Sequence, residues 1–267
     1  MVQRIITGVF GILALIAILY FRGWVASLVV AVFCVMGLYE EYMAFKAGGH
    51  KPVAWPGLLA AVLMWPAYAW KGPYIILPLL VFAMLLIMLE VVRRRSPEWI
   101  DAAASLYPLL TVFLPMSLFL ILLDDVRYPV GIALVVLTFV IAFSGDIFAY
   151  FIGSFFGKHK LCPAVSPKKT VEGSIAGLVG GALTCLAAFY LCTLGGMQMP
   201  GLGSVVLLAL VGGVAGQVGD LTASLVKRHC GIKDFGSVFP GHGGIMDRMD
   251  SVLFTLIVVC SYCLLLM

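Results

Sequence analysis

Apolar runs of roughly 17 to 25 residues, separated by short clusters of charge, glycine and proline, recur along this chain. Each is long enough for a helix to cross about 30 Å of hydrocarbon. The pattern predicts nine such helices, over 5–21, 24–43, 54–70, 73–92, 102–123, 129–153, 173–195, 201–226 and 250–267. The short alternating segments that build membrane barrels do not appear, so the predicted fold class is an all-α integral membrane protein. Prolines at 52–56 and 73–78 mark loops or helix entries. No repeat of fixed period interrupts the series.

Composition supports the membrane reading. With 63% hydrophobic residues, 11% charged residues and a mean hydropathy of +1.11, the chain is unlike a water-soluble globule. Charge then suggests an orientation, because Lys and Arg near helix ends stay on the cytoplasmic side. One side of the predicted helices receives Arg4, Lys46, Lys51, Arg93, Arg94, Arg95, Lys158, Lys160, Lys168, Lys169, Lys227, Arg228, Lys233 and Arg248. The other receives Arg22, Lys71 and Arg127. Nine spans then place the N-terminus in the cytoplasm and the C-terminus outside. Tyr20, Phe21 and Arg22 follow the first run where a leader would carry small residues, which predicts a retained helix. So little chain lies outside the spans that a bacterial inner membrane is the expected location. A net charge of +4, divided among membrane-bounded loops, does not suggest nucleic-acid binding. Cys34, Cys185, Cys192, Cys260 and Cys263 read as small hydrophobes within apolar runs. Cys162 and Cys230 fall in loops on the reducing side without zinc-site spacing.

Polarity is unevenly placed. Up to about residue 140, charges such as Glu40, Glu41, Glu90, Glu98, Asp101, Asp124 and Asp125 lie at span ends and read as interface anchors. Beyond it, Asp146, Glu172, Asp220, Asp247 and Asp250 enter the spans or their immediate ends, and ionisable groups at membrane depth signal function. Residues 1–140 are therefore expected to form a scaffold with room for oligomer contacts, and 141–267 a catalytic region with cytoplasmic loops.

The most polar stretch is Ser224–Asp250. On a helix Gln217, Asp220, Ser224 and Lys227 share one stripe. Two readings of Asp220 are open: a buried carboxylate neutralised by a hydrogen bond or by an ion pair with Lys227, or a cation ligand with room made by Gly216 and Gly219. Asp247 and Asp250 share a face at the start of the last helix, where simple capping competes with a ligand role. Gly241, Gly243 and Gly244 around His242 permit positive φ and exposed N–H groups, which suits a phosphate. Upstream, Asp146 and Tyr150 are four apart, and Gly153 continues their face. Ser166, Pro167, Lys168, Lys169, Thr170 and Glu172 then lead into the seventh span, with Ser166 or Thr170 as its cap. These lysines are either topology signals touching headgroups or phosphate ligands at a cramped helix entry.

At these residues the chain resembles a known family. Ser224, Val226, Lys227, Arg228, Lys233, Asp234, Gly236, Phe239, Pro240, His242, Gly243, Gly244, Ile245, Asp247, Arg248, Met249 and Asp250 match the signature of phosphatidate cytidylyltransferases, the CDP-diacylglycerol synthases. Ser166–Thr170 with Glu172 and Gly173 looks like that family's second motif, and Asp146, Tyr150 and Gly153 also match. The resemblance is specific over roughly 143–250. It implies condensation of CTP with phosphatidic acid into CDP-diacylglycerol and pyrophosphate with magnesium, a second cation being compatible with it. It implies Asp220 and Asp247 as metal ligands and Asp250 as a third candidate, with Lys227, Arg228, Lys233 and Arg248 on the triphosphate. Lys168 and Lys169 would face nucleotide or lipid phosphate, with Ser166, Thr170, Glu172, Ser224, His242, Gly243, Gly244 and Asp146 around the substrates. The expected partners are the two substrates and the bilayer, with a homodimer compatible. The phosphate of phosphatidate is already ionised near neutral pH, so neither a strong base nor a covalent nucleophile is required. A CTP-dependent lipid kinase is the nearest rival, and an ion-coupled transporter the rival from another class.

Overall fold

The computed structural model describes residues 20, 23–124, 127–239, 241 and 243–266. The first predicted span, 5–21, lies outside them except for Tyr20, as do Arg4, Arg22, Asp125, Pro240 and His242. The helices are α1 (Gly23–Ala47), α2 (Trp55–Lys71), α3 (Ile76–Val92), α4 (Trp99–Pro108), α5 (Leu114–Leu122), α6 (Gly131–Phe156), α7 (Val171–Leu194), α8 (Leu202–His229) and α9 (Met246–Leu266). Between α6 and α7 lies a two-stranded antiparallel ribbon, β1 (Lys160–Cys162) and β2 (Ser166–Thr170), pairing Lys160 with Thr170 and Cys162 with Ser166. Residues 166–170, expected as a helix entry, are a strand instead. The five residues are extended, and only Thr170 caps the helix that follows.

Seven helical stretches among the described residues are long and apolar enough to cross a membrane. They make this an all-α integral membrane protein, and leucines such as Leu77, Leu85, Leu183 and Leu191 stand exposed as lipid contact requires. Of the nine predicted spans, one falls outside the described residues and two join in Trp55–Val92, a stretch of 38 residues. That stretch is interrupted by a 3-10 turn at Gly72–Ile75, where Gly72 takes φ +65°. Pro66 and Trp70 of α2 and Pro78 and Phe82 of α3 line an open apolar groove beside it.

The chain forms two compact units, one of residues up to Ile121 with Val226–Met249, the other of Leu122–Leu225 with Asp250–Met267. In the first unit, Asp101 is buried instead of anchoring an interface. It accepts from Lys51 N at 2.8 Å and Arg94 Nη1 at 2.9 Å, while Arg94 also donates to the Lys51 carbonyl. Ser105 Oγ accepts from Val53 N at 2.8 Å, so the α1–α2 connection is fastened to α4. A π-turn at Leu109–Phe113 links α4 to α5, with Leu114 N bonding the Leu109 carbonyl. Pro115 has no N–H to continue an α-helical ladder through this point. The wide turn presents Thr111, whose Oγ1 donates to buried Glu41 at 2.7 Å.

In the second unit α7 runs antiparallel to α6 along a stripe of small residues. Gly173 lies against Ala149 and Gly153, Gly177 against Gly145 and Ala149, and Gly180 against Phe148. Lipid provides no hydrophobic drive between helices, so close backbone approach through small residues supplies the contact. A Cβ on Gly177 would sit 2.8 Å from the Gly145 carbonyl oxygen, whereas one on Gly203 in α8 would meet nothing within 4 Å. Gly177→Leu is therefore expected to cost about 1–3 kcal/mol. In detergent it should melt several degrees lower, with Gly203→Ala unchanged or slightly higher. Equal melting of the two variants would contradict this packing.

Candidate active site

The polar loop of the first unit is built around the first turn of α9. Asp247 lies in that turn, and its Oδ1 accepts from Lys227 Nζ, near the end of α8, at 2.8 Å. Its Oδ2 accepts from Phe235 N at 2.8 Å and Gly244 N at 3.0 Å. The Asp247 side chain is 3% exposed and that of Lys227 16%, so neither charge is satisfied by bulk water. A second carboxylate arrives from α1: Glu40 Oε1 accepts from Ile245 N at 3.0 Å and its Oε2 from Met246 N at 2.9 Å. Three consecutive N–H groups at a helix start are thereby capped by two carboxylates, where the helix dipole also favours negative charge.

The glycines of the loop divide by task. Gly241 and Gly243 have φ of +79° and +82°, and Phe239 N donates to the Gly243 carbonyl at 2.9 Å, closing the turn. Gly236 and Gly244 instead supply space, because a Cβ at either would collide with the Glu40 carboxylate. The N–H of Gly244 is spent on Asp247 within the protein. Arg228, Lys233 and Arg248 are exposed around this core.

In the second unit, Lys169 of β2 forms an ion pair with Asp220 of α8, each side chain 27% exposed. Lys168 is exposed. Thr170 Oγ1 accepts from Gly173 N at 3.2 Å and caps α7, while Ser166 is half-buried in β2. Glu172 receives His159 Nδ1 at 2.6 Å and the His159 backbone N–H at 3.2 Å, tying the ribbon's entry to the helix start. Ser251 Oγ donates to Asp146 Oδ2 at 3.1 Å, and Ser251 N to Asp250 Oδ1 at 2.8 Å. Asp146, Gln217, Ser251 and Thr255 line a small pocket there with several glycines.

The predicted α8 stripe lies on one helix, and three of its four members have separate partners. Gln217 exchanges hydrogen bonds with Ser174, Asp220 pairs with Lys169, and Lys227 pairs with Asp247. Ser224 is half-buried on the same helix. Among the described residues no three His, Cys, Asp or Glu side chains gather to hold a metal without further ligands.

The sequence reading missed Glu40 and His159. Expected as an interface anchor, Glu40 is instead 5% exposed. Tyr42, Ala44 and Phe45 follow it within α1 and are buried, so Glu40 lies inside the packed part of the helix. His50 and His229 also meet, Nε2 to Nε2 at 2.9 Å, and Cys230 packs against Gly48 beside them. Burial, with the Glu41 charge a lesser cause, raises the Cys230 thiol above its ordinary pKa, in keeping with a packing role.

A model of the Cytidylyltransferase family matches residues 2–266. The chain belongs to the cytidylyltransferase family. It is 32% identical over 261 residues to a phosphatidate cytidylyltransferase of Staphylococcus aureus strain COL, covering 95% of each chain. A protein of the same name from Synechocystis is 32% identical over 296 residues, covering 99% of this chain and 97% of that one. Another, from Staphylococcus haemolyticus, is 29% identical over 259 residues. Family membership makes the chain a nucleotidyltransferase.

The buried Lys227–Asp247 pair yields a prediction independent of activity. Lys227→Met strands a carboxylate and is expected to destabilise by about 3 kcal/mol. Adding Asp247→Asn should recover part of that loss, because an amide oxygen still meets a backbone N–H and no charge is stranded. Thermal melting of both variants in detergent checks this. A double variant less stable than Lys227→Met by the full effect of a second independent loss would contradict the pairing.

Proposed function

We propose that this nucleotidyltransferase joins CTP and phosphatidic acid to form CDP-diacylglycerol and pyrophosphate in phospholipid synthesis. The observation that carries the reading is the unbroken polar motif from Ser224 to Asp250, set in a near full-length match to relatives named phosphatidate cytidylyltransferase. In this reading the lipid phosphate oxygen attacks the α-phosphorus of CTP in line, and pyrophosphate leaves. Both reactants are anions, so the protein's main task is to suppress their repulsion.

The chain's cations suit that task. Lys227, Arg228, Lys233 and Arg248 take the triphosphate and the leaving pyrophosphate, and Lys168 and Lys169 take nucleotide or lipid phosphate. Asp220, Asp247 and, as a third candidate, Asp250 are the magnesium ligands of this reading. Aspartate oxygens fit that ion, which takes one or two carboxylates and completes its shell with water and substrate phosphates. Bound there, magnesium would neutralise charge on the phosphates. In each unit a candidate carboxylate is paired with a candidate phosphate-binding lysine, Lys169 with Asp220 and Lys227 with Asp247. With substrate bound, Lys169 and Lys227 would turn to phosphate, and Asp220 and Asp247 would be the carboxylates left to hold the cation. The basic residues near helix ends support a cytoplasmic N-terminus and a site on the cytoplasmic side, as in a bacterial inner membrane.

Purified protein with CTP, phosphatidic acid, detergent and magnesium is expected to release pyrophosphate and form a CMP-bearing lipid in equal amounts. CDP with a newly phosphorylated alcohol would overturn the reading in favour of a lipid kinase. Asp220→Asn and Asp247→Asn should each lower turnover by about 10–100-fold or more, in part restored by raised magnesium. Lys168→Ala should also lose activity, without that rescue. Full activity in both Asp variants would sink the metal assignment.

A further inference from the structure

Helix α1 lies far from the catalytic motif in sequence, yet it contributes a buried carboxylate to it. Glu40 is 5% exposed, and its two oxygens each accept one N–H from the start of α9, at Ile245 and Met246. The loop is shaped around this carboxylate: Gly236 and Gly244, on either side of the Phe239–Gly243 turn, both lack the Cβ that would strike it. Gly244 also donates its N–H to Asp247, so Glu40 and Asp247 grip adjacent amides of one turn. A carboxylate with both oxygens engaged fixes that turn in rotation as well as in position, as one hydrogen bond would not.

We infer that Glu40 is a positioning residue for nucleotidyl transfer: it fixes the first turn of α9 and thereby sets where the Asp247 carboxylate points. The inference rests on the proposed role of Asp247. The Glu40 oxygens are engaged by backbone N–H groups of the turn. Its neighbour Glu41 provides an internal comparison, since it bonds Thr111 of the π-turn. Both carboxylates are buried on α1, so general damage to the helix affects either substitution, whereas damage to the loop follows from Glu40 alone.

Glu40→Gln keeps the length and volume of the side chain but replaces one acceptor by an NH2 group facing a backbone N–H. Partners that orient a metal ligand are typically worth about 10–100-fold in metal affinity or activity. The expected result in the full-length protein is a fall in kcat of that size, with the magnesium concentration for half-maximal rate raised and KM for phosphatidic acid changed less than about threefold. Glu40→Asp, which keeps the charge but is shorter, should recover part of the kcat. Glu41→Gln should leave the magnesium dependence at the wild-type value. Trypsin cleavage after Lys233, followed by mass spectrometry without substrates, should be faster in Glu40→Gln than in Glu41→Gln. Wild-type kcat and magnesium dependence in a folded Glu40→Gln protein would overturn the inference, as would equal cleavage in the two variants. If the wild type itself transferred no cytidylyl group, the proposed reaction would fall while the cleavage comparison still decided whether Glu40 holds the loop.

Discussion

A helix start presents backbone N–H groups that its own ladder leaves unbonded, and much of the first unit is organised around meeting that demand at α9. Gly244, Ile245 and Met246 donate to Asp247 and Glu40, and Phe235 adds its N–H to Asp247. Lys227 then balances one of the two negative charges. Removing water raises the stakes of each bond, since an unmet buried polar group is costly and a stranded charge more so. The loop between α8 and α9 is therefore fixed by charge and hydrogen bonding more than by apolar packing.

The second unit meets a different constraint, the close approach of helices in lipid. Gly173, Gly177 and Gly180 bring α7 against α6, and Thr170, the cap of α7, also touches Gly153. This sets the height of the ribbon strand that carries Lys168 and Lys169. Lys169 can then reach Asp220 on α8, so a packing stripe and a polar pair are two results of one helix placement. Glycines count here for the volume they leave empty, and in the loop of the first unit for the carboxylate they admit.

Much of this was legible in the sequence, for reasons that differ by element. Spans such as α6, α7 and α8 follow from the length of their apolar runs, and the break between α2 and α3 from Lys71, Gly72 and Pro73. The polar α8 stripe follows from helical periodicity, and Thr170 from capping chemistry. Three features were not legible. The extended form of Ser166–Thr170 depends on pairing with Lys160–Cys162, a contact that local propensity does not encode. Gly244 looked like a phosphate-binding glycine because its spatial neighbour was missing from the local sequence. That neighbour, Glu40, lies 205 residues before the amide of Ile245, and charge at the end of an apolar run resembles any interface anchor.

A carboxylate from α1 holds the first turn of α9. Hydrogen–deuterium exchange on the full-length protein in lipid nanodiscs, comparing wild type with Glu40→Gln, tests it without reference to turnover. Faster exchange is expected at the amides of residues 243–247 in Glu40→Gln, with α6 and α7 unchanged. Identical exchange at Ile245 and Met246 in the two proteins would contradict it.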